Sequence, residues 1–385
     1  RQAVDRQCVS DVPIGSYLSG GMDSGSITAL TASHFGRIST FTGGFDLSEA
    51  HGRELQFDER ELAEKMASLF QTEHYECVLH SGDLAACLDA LVYHLEDLRV
   101  GQCYPNWYIS RLAGKFVKVV MCGAGGDELF GGYPWRYAAA VGANHKDYVD
   151  NYYRYWKRLV RNRDKPRLFQ PDVAEELCHL DDEGAVPFRD HTLSAFKRVL
   201  AGHDRPESIE DQVNNSLYFE CKTFLHGLLV VEDKLSMAHS LETRVPLLDN
   251  DLVDLASRIP VRCKVAGLDH LQRMDENLPR KKTLYRQQLN GGKTILRAAM
   301  ESILPPDITG ARKQGFSAPD ESWFRGRIEG YVQGRLLSTG TQLHNYVDRD
   351  FIAQVLCEHA SGQNNRRLLI WSLLCFDTWL EKFTE

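Results

Sequence analysis

Two stretches of this chain hold the residue types that handle phosphate and metal ions. The first is Ser19-Gly20-Gly21-Met22-Asp23-Ser24. Glycines let a backbone turn tightly and let its N–H groups approach an anion with no Cβ in the way. Ser19 and Ser24 add hydroxyl donors. Where such a turn opens a helix, the unpaired N–H groups and the positive end of the helix dipole complete an anion cradle. The loop has no Lys and does not follow Gly-x4-Gly-Lys-Ser/Thr, so it is not the P-loop of kinases and GTPases. Asp23 would repel a phosphate unless a cation lay between them, and Mg²⁺ bridged to phosphate oxygens suits that place. The rival reading is a plain strand–turn–helix in which Asp23 or Ser24 caps the helix.

The second stretch is Gly123-Ala124-Gly125-Gly126-Asp127-Glu128-Leu129-Phe130-Gly131-Gly132-Tyr133. Again an acid follows glycines. Asp23 and Asp127, brought from two strand ends, could share one Mg²⁺ beside a triphosphate. Taken alone, this stretch is equally a glycine-rich turn with solvated acids.

Both loops follow segments that read as strands. Ile14–Leu18 is short and apolar, and residues 24–35 have helical composition. Ile38–Phe45 is rich in β-branched and aromatic residues, and 58–70 shows a helical stripe at Leu62, Ala63, Met66, Leu69 and Phe70. His74–Leu79 reads as a strand, and 84–95 and 107–113 as helices. Phe116–Cys122 is nearly continuously apolar, the pattern of a strand buried on both faces. This alternation predicts an α/β fold with a doubly wound parallel sheet, followed by a mainly helical C-terminal half. The domain reading is 1–140 for an α/β nucleotide core, 141–230 for a helical extension, and 231–385 for a helical part that completes the site. Both loops then lie at the carboxyl edge of the sheet, where open α/β sheets bind ligands.

The bulk properties narrow the classes. The 385 residues carry a formal net charge of −8, with 43% hydrophobic and 25% charged residues. An acidic balance argues against a nucleic-acid surface, which needs clustered Lys and Arg. No apolar run reaches membrane-spanning length, so no membrane partner is expected. Ten cysteines with no CxxC pair read as reduced, buried thiols of a cytoplasmic protein. A chain that opens at Arg1, without Met, reads as the rear part of a longer polypeptide.

The two loops together resemble the synthetase half of the class B (glutamine-dependent) asparagine synthetases, within the N-type ATP pyrophosphatases. The match extends through Asp233-Lys234-Leu235-Ser236-Met237-Ala238, through 241–249 from Leu241 to Asp249, and through Arg312-Lys313-Gln314-Gly315-Phe316. These blocks occur in family order over roughly residues 5–330. The resemblance implies an adenine nucleotide alpha hydrolase-like fold with ATP and Mg²⁺ as cofactors. It further implies that a carboxylate, aspartate or another, is activated as an acyl-adenylate and passed to ammonia. Ser19, Gly20, Gly21, Asp23 and Ser24 would then hold the leaving pyrophosphate, and Asp23 and Asp127 the metal. Leu18, the strand end at Gly43 and Gly44, and Cys122-Gly123 would frame adenine and ribose. Lys313 would offset charge on the α-phosphate and pyrophosphate, and Glu242 would lie near the substrate, unless it is simply a salt-bridge partner of Arg244. Asp233 and Lys234 are also read as an ion pair joining two helices.

Two departures from the family pattern matter. Asparagine synthetases carry Glu, and a lactam-forming relative Tyr, where this chain has Ala124. Ala124 cannot act as a base, so either Glu242 takes over or the substrate differs. The chain also lacks the glutaminase domain with its N-terminal nucleophilic Cys. Ammonia would come from glutamine through such a domain upstream or on another chain, or from solution. The oligomeric state is open, a homodimer among the options. Rival readings are a tRNA-thiolating or GMP-forming pyrophosphatase, and a nucleotide-binding subunit without activity.

Overall fold

The structure is a computed structural model that describes residues 1–384 apart from 158, 162–163, 180–187, 204–205, 269–290 and 312–316. The predicted alternation is present. A short helix α1 (Gln2–Gln7) precedes β1 (Ile14–Tyr17), α2 (Met22–Phe35), β2 (Ser39–Phe45), α3 (Arg60–Phe70) and β3 (Glu73–Leu79). Two helices, α4 (Ser81–Leu95) and α5 (Tyr104–Ala113), then lead to β4 (Val119–Met121). The strands lie in the order β3-β2-β1-β4-β5, all parallel. The chain winds outward from β1 to β3 and returns to place β4 on the other side of β1. The strand order therefore reverses between β1 and β4, and a ligand crevice opens outside the carboxyl ends of those two strands.

The fifth strand, β5 (Glu242–Arg244), comes from the half of the chain that reads as mainly helical. It pairs Val119 with Glu242 and Met121 with Arg244. Between β4 and β5 run α6 (Gly126–Phe130), α7 (Pro134–Ala140), α8 (His145–Trp156), α9 (Pro171–His179), α10 (Phe188–Val199), α11 (Ile209–Glu220) and α12 (His226–Met237). A π-helical turn at Cys221–Leu225 joins α11 to α12.

Alternating strand residues feed two apolar layers. On one face Ile14, Val119 and Met121 pack with Val4, Ile27, Leu30 and Leu247. On the other Phe41, Val117 and Val120 pack with Ala113 and Leu241, flanked by Tyr17 and Ile109. The largest cluster joins α4 and α5 to the helices Arg349–Ala360 and Arg367–Phe383 through Leu84, Leu88, Leu91, Tyr104, Phe351 and Trp371. Each large side chain buried there contributes roughly 1.5–3 kcal/mol relative to exposure. Lys234 does join two helices, but its partners are Glu96 at 2.7 Å and the Leu95 carbonyl at 2.8 Å, not Asp233. Asp233 is exposed, one position along a helix that turns it away. The nine described cysteines are free. No described helix is long and apolar enough to cross a membrane.

Candidate active site

The chain leaves β1 at Tyr17, and the Leu18 N–H still donates to the Phe41 carbonyl at 2.9 Å. The Leu18 side chain turns down among Met22, Ala63 and Met66, so only its backbone faces the crevice. Ser19 to Gly21 then turn the chain into α2, with Gly21 as the N-cap. The loop holds itself together with its own hydroxyls. Ser24 Oγ accepts from the Ser19 N–H at 3.0 Å and lies 2.9 Å from Ser19 Oγ, and Gly21 N–H donates to Ser19 Oγ at 3.2 Å. The first N–H groups of a fourteen-residue helix point outward behind this loop.

The second loop lies directly against the first. A Cβ on Gly123 would stand 2.6 Å from Ser24 N, so glycine is required for the two backbones to touch. Gly125, with φ +95°, turns the chain into α6 and sends Asp127 back toward Asp23. Cys122 donates its N–H to the Arg244 carbonyl at 2.8 Å, which ties the tip of β4 to β5. Gly43 and Gly44 lie opposite Cys77 and Val78, in the part of β2 that runs on past the end of β1.

Asp23 and Asp127 meet at a group that the sequence reading missed. The Lys293 ammonium lies 2.5 Å from Asp23 Oδ2 and 2.5 Å from Asp127 Oδ1. All three side chains are nearly sealed, at 13%, 9% and 6% exposure for Asp23, Asp127 and Lys293. Lys293 adopts φ +59° and donates its N–H to the Phe130 carbonyl at 3.1 Å, so it is pinned to the end of α6. A left-handed backbone is costly for a side-chain-bearing residue and persists where the surroundings enforce it. Here Arg297 enforces it: its guanidinium holds the carbonyls of Gly292 at 2.9 Å, Ala311 at 3.0 Å, and Thr309. Burial lowers the Arg297 pKa, and the nearby charges of Asp23 and Asp127 oppose that shift.

One cation already touches both carboxylates, so one divalent ion could do the same. Two carboxylates, supplemented by phosphate oxygens, are a donor set that suits Mg²⁺. Asp23 and Asp127 fit that ion.

Two sequence candidates stand apart. Glu242 enters β5 opposite Val119, at the end of the strand away from the crevice. Its side chain is 57% exposed and pairs with Arg244 Nε at 2.6 Å, which matches the salt-bridge reading and not the substrate reading. Lys313 lies outside the described residues. Ala124 presents a methyl group beside Cys122, whose thiol is pushed up in pKa first by burial and then by the charges of Glu232 and Asp23.

Comparisons with known proteins follow this geometry. The sequence model of the family described as asparagine synthase matches residues 1–381. A provisionally assigned glutamine-hydrolysing asparagine synthetase of Mycobacterium bovis is 30% identical over the whole of this chain and 56% of its own length. Asparagine synthetase (glutamine-hydrolysing) 1 of Bacillus subtilis is 27% identical over 96% of this chain and 56% of its own. The amidase chyE of Penicillium rubens is 24% identical over 90% of this chain and 55% of its own. The chain thus spans about half the length of the curated relatives it matches. Likeness that extends from the first glycine loop to the last helix cannot rest on one shared loop, and the chain belongs to the asparagine synthase family.

Proposed function

We propose that this chain is the synthetase part of an ATP-dependent, AMP-forming amide synthetase. The observation that carries the reading is the meeting of Asp23, Asp127 and Lys293 beside an anion-ready helix start. In the first step a carboxylate oxygen, that of the aspartate side chain in the leading reading, attacks the α-phosphorus of ATP, and the bond to the β,γ-pyrophosphate breaks. Ser19 to Ser24 and the N–H groups of α2 bind the β- and γ-phosphates. Lys293 contributes an ammonium to charge that develops on the departing pyrophosphate, and Lys313 is assigned the same role at the α-phosphate. Bound at Asp23 and Asp127, Mg²⁺ would neutralise phosphate charge and help the pyrophosphate to leave. In the second step ammonia attacks the acyl carbon of the adenylate, and AMP leaves with the bonding electrons. Catalysis on this reading is mainly positioning and preorganised charge.

The glutamine-hydrolysing names of the relatives support glutamine as the source of ammonia, through a glutaminase domain elsewhere on the polypeptide or on a partner. Ala124 favours a second reading, in which a family member amidates a carboxylate other than aspartate. Pyrophosphate release from Mg-ATP, measured across a panel of amino-acid carboxylates with ammonium chloride, separates the two. Release with aspartate and formation of asparagine support the first. Release only with another carboxylate supports the second, and release with none overturns both.

A further inference from the structure

The site has a gap at Ala124, and beside it stands Cys122, whose thiol feels the charge of a carboxylate that the sequence reading passed over. Glu232 lies on α12, half-buried where α12, α5, β1 and β5 converge. Asn106 Nδ2 donates to its Oε2 at 3.0 Å, and Thr243 Oγ1 donates to its Oε1 at 3.2 Å. Tyr17, whose hydroxyl lies 2.9 Å from Ser110 Oγ, also favours its charged form. The carboxylate is thus held in one orientation by α5 and β5. Its charge acts on the Cys122 thiol, which the charge of Asp23 also reaches and which the Ala124 N–H contacts. Cys122, at the tip of β4, separates Glu232 from the cation-binding acids.

That placement fits an in-line displacement. The attacking carboxylate and the leaving pyrophosphate must sit on opposite sides of the α-phosphorus. Ser19–Ser24, Asp23, Asp127 and Lys293 define the pyrophosphate side. The acyl group therefore points across the tip of β4, toward Ala124 and Glu232. Resting on the amide-synthetase reading, we propose that Glu232 accepts the proton of the incoming nitrogen, a role for which Ala124 has no side chain. Ammonia attacks the acyl carbon, and the resulting N⁺–H gives its proton to a Glu232 oxygen. The carbon–oxygen bond to AMP then breaks, and Glu232 later releases the proton to water. Burial, reinforced by the like charge of Asp233, raises the Glu232 pKa, which favours a carboxylate able to take a proton, and Asn106, Thr243 and Tyr17 oppose that rise.

The test uses the full-length protein with Mg-ATP and its active carboxylate, and compares wild type with Glu232→Gln and Glu232→Asp. Gln keeps the shape and the acceptor for Asn106, and the Thr243 hydroxyl can turn to accept from its NH2, but the basicity is lost. Two readouts separate the steps: ATP–pyrophosphate exchange without an amine reports adenylation, and amide formation with ammonium chloride reports transfer. Glu232→Gln should keep exchange within about threefold of wild type and lower amide formation about 100-fold or more, the typical share of a general base. Glu232→Asp should regain part of that loss. Hydroxylamine, whose adduct carries a more acidic N⁺–H that loses its proton readily to water, should form hydroxamate with a loss of under about tenfold in Glu232→Gln. Equal falls in exchange and amide formation would mean that Glu232 only supports the fold, and this would overturn the proposal. So would unchanged amide formation, or equal losses with both nucleophiles. A wild type that exchanges pyrophosphate with no carboxylate overturns the amide-synthetase reading itself, and the proposal falls with it.

Discussion

Lys293→Met should destabilise the ligand-free protein, and Mg²⁺ should restore much of the loss. The ammonium is shared at 2.5 Å by Asp23 and Asp127, and no side chain of the three is more than 13% exposed. Solvent screening therefore reduces the interaction little, unlike that of a surface pair. Removing one partner from a buried ion pair costs about 3–5 kcal/mol, because the charge left behind is poorly solvated. The lower end, about 3 kcal/mol, applies here, since both acids have further interactions. Met preserves the length and the apolar stem, so the change isolates the charge. Urea unfolding without divalent ions measures the loss. Asp127→Asn/Lys293→Met should then lose less than Lys293→Met alone, because one stranded charge has gone. Mg²⁺ at about 100 times its dissociation constant should return about 2.7 kcal/mol to Lys293→Met. A loss below about 1 kcal/mol, or a double variant that equals the sum of the singles, would refute the idea that Lys293 neutralises the two acids.

Asp23→Asn and Asp127→Asn should each abolish pyrophosphate release and leave the circular-dichroism spectrum unchanged; normal turnover in both would remove them from the metal site. Lys313→Met should lower kcat about 100-fold or more with little change in ATP affinity, as loss of a charge contact made in the transition state does; steady-state kinetics that show the whole loss in KM would assign Lys313 to ground-state binding. Asp320 is fully buried, accepts from the Tyr104 hydroxyl at 2.8 Å, and burial raises its pKa from 3.8 to about 7. Its folded form keeps the proton longer than the unfolded form, so stability is lost as pH rises from about 4 to about 7. Asp320→Asn removes that loss and should be more stable than wild type at pH 8 by on the order of 3 kcal/mol, with no gain near pH 4, in urea unfolding at the two pH values.

The parts of this protein that could be read from its sequence are those with local causes. β1 and β4 are apolar runs with a glycine within three residues of their ends, β2 is rich in β-branched and aromatic residues, and the helices between the strands repeat at a helical spacing, so order and type follow from neighbours in the chain. The two glycine loops were legible for the same reason. β5 was not, because Glu242-Thr243-Arg244 is three polar residues at a sheet edge and becomes a strand only by pairing with β4. Glu242 looked functional from its motif, yet strand direction places it at the far end. Lys293 is distant in sequence from both acids, and its only local sign is the turn Gly291-Gly292-Lys293 before a helix. Glu232 read as one more charge beside Asp233 and Lys234. Its burial depends on α5, β1 and β5 arriving together, which no local pattern records.

The late arrival of β5 has a consequence during synthesis. About 120 residues separate β4 from the strand that covers its outer edge. At ribosomal rates of about 5–20 residues per second, that edge stays open for roughly 6 to 24 seconds after β4 is made. An uncovered strand edge invites pairing with another chain. The nascent protein therefore passes through a window in which its nucleotide fold is four-fifths built and adhesive, and a chaperone that shields β4 would act there.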